Sequence, residues 1–305
     1  MNVQTVSYKN YKWLNLENPT EEEIDYLKEE FPFHPLNLED YQTKTQSPAL
    51  NLYRHYTLFV LDLPHLSPDG DKILVSEVDF FVGEDYLVVL HEEKLPLLSE
   101  IFNRCLENKK TLQRFFGKGP LFLFYRLTDL LIDSCFPLLD KLSVRTEEID
   151  KEILEAKGKN VVSAISLQRR NIVVFQTMVK PTIPIFEKLG KGEIERLNGD
   201  MQNYWNSLHD HLKKTWERLE DLRELNEGLS ATYESILSYR TNEIIKILTM
   251  FSAIMMPLTL IASIYGMNTV GLPLAHHPWV VVLITASMGA VAIVMFVYFK
   301  FKQWL

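Results

Sequence analysis

The sequence predicts a cytosolic α+β domain, a long helical stalk and two C-terminal transmembrane helices. Short β-rich stretches alternate with helical signals over residues 1–124, and helical patterns alone follow from residue 125 onward. Two apolar segments, within 246–267 and 279–299, lie near the end of the chain. Each has about 20 residues, the length that a helix needs to cross roughly 30 Å of hydrocarbon. Burial of both segments in a soluble core is the alternative, and the hydropathy rule disfavours it.

The first 124 residues are predicted to form the cytosolic α/β domain. Stretches rich in β-branched and aromatic residues at 55–64, 73–82 and 86–91 are typical of strands. One helix is predicted at 18–31, where proline and acidic residues occupy a first turn, and one amphipathic helix at 94–116. The mixture of both element types favours an α/β domain.

The next part of the chain is helical throughout. Residues 125–199 are predicted to form a cytosolic helical hairpin that breaks at the sequence Lys-Gly-Lys-Asn, 157–160. Residues 200–245 are predicted to form one long stalk helix, because large apolar residues recur at steps of three and four and no proline occurs between Asp200 and Pro257. Continued through the first span, this helix would be on the order of 100 Å long. Two or three shorter helices are the alternative; a continuous helix implies packing between subunits, because it cannot bury itself in a compact domain.

The distribution of positive charge sets the expected orientation. Arg240 and Lys246 flank the first span, the tail 300–305 carries lysines, and the loop 268–278 between the spans holds no cation. The positive-inside rule then places the loop outside the cell and both termini in the cytosol. The start of the chain lacks the basic and apolar stretches of a secretory signal. We therefore expect a multi-pass protein of the plasma membrane, the inner membrane of a bacterium or archaeon.

The composition argues against several classes of function. The chain has 32 Lys and Arg against 40 Asp and Glu, and its net charge of −8 argues against nucleic-acid binding. Cys105 and Cys135 lack metal-finger spacing, and a cytosolic domain gives them no reason to form a disulfide. We find no phosphate-binding glycine loop, nucleophile motif or His-Glu metal motif, so we do not expect an enzyme.

A polar stripe follows the first span. Its members recur at steps of three and four and lie on one face of a helix: Asn242, Ile245, Thr249, Ser252, Met256, Thr259 and Ser263. Polar groups are unfavourable in lipid, so the stripe should face other helices or water; close helix packing and pore lining both remain open. Pro257 frees the carbonyl of Ala253, which then needs a neighbour or a wet lumen. Since two helices cannot enclose a lumen, a pore requires several subunits in a ring.

Several stretches resemble one known family. The run MMPLTLIASIYGMN, the second span and the closing VYFKFKQWL closely resemble the C-terminal signature of the CorA family of divalent-cation channels, and HPLNLEDYQTKTQSP with YTLFVLDLPHL resembles its cytosolic domain. The resemblance implies a CorA-like funnel-shaped homopentamer whose first span lines the pore and whose cytosolic domain senses magnesium. It implies a selectivity filter at Gly266, Met267 and Asn268. The implied pore-lining positions are Asn242, Ile245, Leu248, Ser252, Met256, Thr259 and Ser263.

The chemistry of Mg²⁺ suits an asparagine at the pore mouth. Mg²⁺ prefers octahedral oxygen ligands at about 2.0 to 2.1 Å and gives up its waters reluctantly. A ring of Asn268 carbonyl oxygens would accept hydrogen bonds from the first-shell waters of the ion, and Gly266 would let the backbone turn toward the axis. An ordinary helix C-cap is the alternative for this Gly-Met-Asn sequence. The segment 269–278 contains no Asp or Glu, whereas many relatives place a Glu there, which suggests weaker concentration of cations at this mouth.

Gating and regulation follow from the same resemblance. Three apolar members of the pore-lining set are expected to form constrictions that gate by dewetting: Ile245, Leu248 and Met256. The resemblance implies that Mg²⁺ held by carboxylates between cytosolic domains closes the channel. The candidates for that regulatory metal are Asp62, Asp79 and Asp210, and a solvated acidic face is the alternative for each.

The expected function is passive, membrane-potential-driven influx of Mg²⁺, with Mg²⁺ as both cargo and regulator. The expected partners are further copies of the chain, the lipid bilayer and divalent cations. A Co²⁺, Ni²⁺ or Zn²⁺ transporter of the same family is one alternative, although the zinc branch tends to have Ile where this chain has Met267. The other alternative is a membrane-tethered scaffold or sensor that conducts no ion.

Overall fold

The computed structural model of the protein describes residues 3–43, 47–155, 160–267 and 279–304. The chain divides into two units, Met1–Ser230 and Ala231–Leu305. The first unit contains a β-sheet and helices on both of its faces. The second contains the end of one long helix and the last helix of the chain.

A six-stranded sheet lies at the centre of the first unit. Its strands are β1 (Gln4–Tyr8), β2 (Tyr11–Glu17), β3 (Ala49–Leu52), β4 (Thr57–Leu66), β5 (Ile73–Val82) and β6 (Tyr86–His91). The spatial order is β1-β2-β6-β5-β4-β3; β2 pairs parallel with β6, and the other neighbours pair antiparallel. The three predicted strands are confirmed as β4, β5 and β6, whereas β1, β2 and β3 were not predicted.

The helices of the described chain fall into short and long groups. The short ones are α1 (Glu21–Glu30), α2 (Pro35–Thr43), α3 (Pro96–Glu107), α4 (Lys109–Phe116) and α5 (Pro120–Asp133). The longer ones are α6 (Phe136–Leu154), α7 (Val161–Gly190), α8 (Gln202–Tyr265) and α9 (Val280–Phe301). Two short 3₁₀ turns, Glu195–Leu197 and Gly199–Met201, precede α8.

The single helix predicted at 94–116 is wrong. The structure divides this stretch into α3 and α4 at Asn108, whose backbone is extended. The Asn108 side chain accepts hydrogen bonds from the backbone N–H groups of Lys110 and Thr111, at 2.9 and 3.3 Å. Asn108 is therefore an N-cap that starts a second helix. The predicted hairpin break at 157–160 lies outside the described residues except for Asn160.

Successive side chains of a strand point to opposite sides of the sheet, and apolar side chains on both sides pack against other parts of the first unit. Phe80 on β5 packs on one side against Phe124 of α5, and Phe124 stacks on Phe59 of β4 with ring centroids 4.0 Å apart. Phe81, the next residue of β5, packs on the other side against Phe33, which lies between α1 and α2. The sheet thus separates two apolar cores.

Helix α8 is continuous from Gln202 to Tyr265. This agrees with the continuous helix predicted from the stretch without proline, and α8 also continues through Pro257. Two helices of the described chain are long and apolar enough to cross a membrane: the one that ends at Tyr265, and α9. Only 6% of the most apolar window of each is buried, so these apolar surfaces do not form a core within one copy of the chain.

Candidate functional site

The predicted pore-lining residues all lie on α8, and all are exposed: Asn242, Ile245, Leu248, Ser252, Met256, Thr259 and Ser263. The large apolar members are strongly exposed in one copy of the chain: Ile245 is 54%, Leu248 62% and Met256 72% exposed. Thr249, the other position of the polar stripe, is exposed as well.

A narrow part of the α8 surface is shielded in this segment. Met250 is buried, and Lys246, Ala253 and Pro257 are half-buried. At 100° per residue, the mean direction of these four positions lies about 120° around the helix from that of the pore-lining set. The Lys246 Nζ donates a hydrogen bond to the carbonyl of Gln303 at 3.4 Å, so the chain after α9 contacts the shielded side. The predicted pore-lining residues therefore lie within a wider exposed surface of α8, which also carries Ile247, Phe251 and Leu260.

The side-chain hydroxyl groups of two threonines of the span donate hydrogen bonds within their own helix. Thr249 Oγ1 donates to the carbonyl of Ile245, and Thr259 Oγ1 donates to the carbonyl of Met255, each at 2.8 Å. These bonds satisfy the hydroxyl protons within the helix and leave the oxygen lone pairs as acceptors. The surface therefore offers acceptors, which suit the water of a hydrated cation.

The helix ends just before the predicted filter. The Gly266 N–H donates to the carbonyl of Ala262 at 2.9 Å, and the Met267 N–H donates to that of Ile264 at 3.4 Å. Gly266 does not adopt the left-handed conformation; instead, a Cβ there would lie 3.1 Å from the Ala262 oxygen. Close approach to that carbonyl, rather than a left-handed turn, is thus what favours glycine here. Asn268 and the loop 268–278 lie outside the described residues, and the role of Asn268 stays a prediction.

The structure brings together two of the three predicted regulatory acids. Asp62 on β4 and Asp79 on β5 lie on the same face of neighbouring strands, because Asp62 is opposite Glu77, two residues before Asp79. Asp210 is an exposed residue of α8. Within the described part of the chain, none of the three belongs to a group of three or more side chains close enough to share a metal ion. Their assignment stays a prediction.

Burial changes the ionisation of both sheet acids. Asp79 is fully buried, and desolvation, with the charges of Glu77 and Asp62, raises its pKa well above the ordinary value. Burial also raises the pKa of Asp62 to about 6. A carboxyl group that holds its proton is a poor ligand for Mg²⁺, which makes Asp79 the weakest of the three candidates.

A different cluster has the geometry of a metal site. Asp129 and Asp133 on α5 and His211 on α8 have ligand atoms within 4.8 Å of one another. The His211 Nδ1 lies 3.7 Å from Asp129 Oδ1 and 3.6 Å from Asp133 Oδ1. Burial and the neighbouring charge of Asp133 raise the pKa of Asp129, and the guanidinium of Arg126 opposes that rise.

The sequence analysis missed this cluster. The spacing of four between Asp129 and Asp133 places them on one helical face, but only the tertiary fold brings His211 to them. An imidazole with two carboxylates suits Co²⁺, Ni²⁺ or Zn²⁺ better than Mg²⁺, which prefers oxygen ligands and retains its waters.

Comparisons with known proteins agree over nearly the whole chain. The family model for CorA-like Mg²⁺ transporter proteins matches residues 8–301. The cobalt/magnesium transport protein CorA of Thermotoga maritima is 28% identical over 294 residues, which cover 96% of this chain and 83% of that protein. The putative metal ion transporter YfjQ of Bacillus subtilis is 27% identical over 96% of this chain and 89% of its own length.

Solved structures show the same fold. The complete structure of the CorA magnesium transporter from Methanocaldococcus jannaschii has a TM-score of 0.84 at 20% identity and covers 98% of this chain and 94% of its own. The full-length CmaX protein has a TM-score of 0.73 at 20% identity, with 96% of this chain and 89% of its own covered. These likenesses confirm the predicted fold class of an α/β domain, a long helix and two C-terminal apolar helices.

Proposed function

The chain belongs to the family of CorA-like Mg²⁺ transporter proteins, and on that premise we propose that it carries Mg²⁺ passively into the cell through a pore shared by a homopentamer. Membership makes it a divalent-cation transporter and gives no support to an enzymatic role. The pore, the ion it selects and its regulation are argued below.

The exposed stripe of predicted pore-lining residues on α8 is the single observation on which the proposal rests most. That stripe combines acceptor groups with large apolar side chains that are 54 to 72% exposed, and it lies away from the shielded positions of α8. A ring of subunits would turn these stripes toward one axis and cover them. The hydroxyl and amide groups would then face water instead of lipid.

Selection at the outer mouth would use Asn268. Its side-chain carbonyl, repeated around the axis, would accept hydrogen bonds from the waters of an intact hydration shell, so that the ion avoids the cost of dehydration. Gly266 and Met267 would hold that ring in place. No acidic residue of 269–278 competes for the ion, and the loop would face outside with both termini in the cytosol.

The proposed gate consists of the apolar rings of Ile245, Leu248 and Met256. A gate is needed because two charges that cross a potential of 100 mV release about 4.6 kcal/mol. Apolar rings can block conduction by dewetting. Mg²⁺ bound between the acid-rich cytosolic units would favour the closed ring, and Asp210 is the most accessible of the three predicted ligands.

Flux into liposomes tests the proposal. Purified full-length protein should admit Mg²⁺ when a negative interior potential is imposed, and Asn268→Ala should reduce that flux by about tenfold or more, since neutral acceptors would be lost from every subunit. Asn203→Ala is the matched control, because Asn203 is an exposed asparagine of α8 within the first unit. Undiminished flux in Asn268→Ala would contradict the proposed filter. Absence of flux in the parent protein would favour the alternative of a membrane-tethered scaffold or sensor that conducts no ion.

Transport of a transition metal is the second candidate. The Asp129, Asp133 and His211 cluster favours it, because its imidazole suits Co²⁺, Ni²⁺ or Zn²⁺. Competition among Mg²⁺, Co²⁺ and Zn²⁺ for uptake into cells without their own magnesium transporters separates the two candidates. Uptake of Co²⁺ or Zn²⁺ that excess Mg²⁺ does not inhibit would contradict the Mg²⁺ assignment.

A further inference from the structure

A polar cavity of about 390 Å³ lies at the carboxyl end of β2, which pairs with β6. These strands run parallel, and ligands of α/β sheets commonly bind beyond the carboxyl ends of parallel strands. The lining includes Asn15 and Glu17 of β2, Glu23 of α1, and Ser99 and Asn103 of α3. The cavity lies within the first unit and shares no residue with the predicted pore.

A buried histidine fixes the orientation of Asn15 at this cavity. His91 is fully buried, and its Nδ1 lies 2.9 Å from the carbonyl oxygen of Glu92. A carbonyl can only accept, so Nδ1 carries the proton. Burial lowers the pKa of His91 and keeps the ring neutral. The Nε2 is therefore an acceptor, and the Asn15 Nδ2, at 3.0 Å, must be its donor.

It follows that the Asn15 Oδ1 is turned away from His91. Asn15 is 5% exposed, and this oxygen is buried without a hydrogen-bond partner among the described residues. A buried acceptor that stays unpaired is unfavourable. Since Asn15 lines the cavity, a group that donates a hydrogen bond from the cavity would satisfy it.

The charge of the cavity wall selects the kind of donor. The described lining contains the carboxylates of Glu17 and Glu23 and neither Lys, Arg nor His. The Ser99 hydroxyl donates to Glu17 Oε2 and holds that carboxylate in place. A wall of this composition attracts a cation that is rich in hydrogen-bond donors and repels an anion.

We propose that this cavity binds a hydrated Mg²⁺ ion, which donates hydrogen bonds from its water shell to Asn15 Oδ1 and to the carboxylates of Glu17 and Glu23. Six waters at about 30 Å³ each occupy about 180 Å³, which the cavity accommodates. Mg²⁺ commonly keeps several of its waters when it binds a protein. The choice of Mg²⁺ over an organic ammonium ion rests on the proposed function; the preference for a donor-rich cation does not.

Calorimetry on the full-length protein in detergent, stripped of metal with EDTA, tests the site. Glu17→Gln should weaken one class of Mg²⁺ sites by about tenfold, because one charge near a divalent ion is lost. Glu30→Gln, an exposed acid at the other end of α1, is the matched control and should bind as the parent does. Asn103→Ala, at an exposed lining position, provides a second variant that does not disturb Asn15.

Two further probes decide the nature of the ligand. Hexaamminecobalt(III), whose ligands do not exchange, should compete for the same class of sites, and its failure to compete would overturn binding through an intact shell. A simple diammonium ion that binds in a Glu17-dependent way where Mg²⁺ does not would overturn the choice of Mg²⁺. Mg²⁺ binding that is unchanged in both Glu17→Gln and Asn103→Ala would overturn the site.

Flux into liposomes separates this site from the pore. Glu17→Gln should still conduct Mg²⁺, whereas Asn268→Ala should lose flux and retain the Glu17-dependent binding. Loss of binding in Glu17→Gln with retained flux supports the cavity site by itself. Absence of flux in the parent protein would contradict the proposed function and would leave the binding result intact.

Discussion

Replacement of Asp79 by asparagine should make the protein less sensitive to alkaline pH. Asp79 lies in the middle of β5, is 0% exposed, and has no hydrogen-bond partner for either carboxylate oxygen among the described residues. Burial raises its pKa well above the ordinary value, and the charges of Glu77, Asp62 and Asp40 add to that rise. Asparagine keeps the shape of the side chain and cannot ionise.

The sign of the effect follows from proton linkage. In the unfolded chain an aspartate titrates near pH 3.9. Between that pH and the raised pKa of the folded state, the folded protein binds more protons than the unfolded chain, so the free energy of unfolding falls as the pH rises. Each unit of pKa difference lowers the stability of the parent by about 1.4 kcal/mol once the pH exceeds both values. The buried amide of the variant adds a cost that does not change with pH.

Thermal unfolding of the full-length protein in detergent, measured from pH 5 to pH 8, checks this expectation. The difference in unfolding temperature between Asp79→Asn and the parent should move in favour of the variant as the pH rises. Asp85→Asn, at an exposed turn position, should follow the parent at every pH. A constant difference between Asp79→Asn and the parent would mean that Asp79 titrates as an ordinary surface acid, and the reasoning would be refuted.

Three further substitutions test the core, the gate and the metal cluster. Phe124→Ala should lower the free energy of unfolding by roughly 3 to 5 kcal/mol, because Phe124 is fully buried and stacks on Phe59. Denaturant titration measures this loss, and a loss under about 1 kcal/mol would contradict the packing. Met256→Ser should raise Mg²⁺ flux at high internal Mg²⁺, because it removes an apolar ring. Ile247→Ser, on another exposed face of α8, should leave that flux unchanged. Equal effects of the two substitutions would contradict a role of Met256 in the gate. His211→Ala should weaken Co²⁺ binding, measured by calorimetry, by at least about tenfold, because loss of a residue that only supports a metal ligand already weakens metal affinity by that factor. Mg²⁺ binding should change little. Unchanged Co²⁺ binding would contradict a metal site at this cluster.

The long and strongly patterned elements could be predicted from the sequence. Strands β4, β5 and β6 are rich in β-branched and aromatic residues, and α8 has no proline before Pro257. Two of the three strands that were not predicted are short or exposed: β3 has four residues, and β1 is largely exposed. Local pattern therefore gives little signal for them.

The sites depend on pairings that a local pattern does not contain. Parallel pairing of β2 with β6 joins residues more than 70 positions apart, and it places Asn15 beside His91. The meeting of His211 with Asp129 likewise requires α8 to pack beside α5. The stripe of the first span was predictable because its spacing follows the period of a helix, and the structure adds that its residues are exposed in one copy of the chain.

Weak binding at the mouth and strong binding in the cytosol are both required of a regulated pore. Every Asp and Glu of the chain lies at or before Glu243, so the spans and the loop between them contain no carboxylate. In the proposed pore, a neutral amide at the mouth would bind a hydrated ion weakly enough for the ion to leave, which conduction requires. A regulator must instead hold its ion at cytosolic concentrations, and carboxylates supply the necessary attraction. We therefore expect substitutions of cytosolic acids to change the Mg²⁺ concentration at which flux stops while the ranking of permeant ions stays the same, and substitutions of Asn268 to do the reverse.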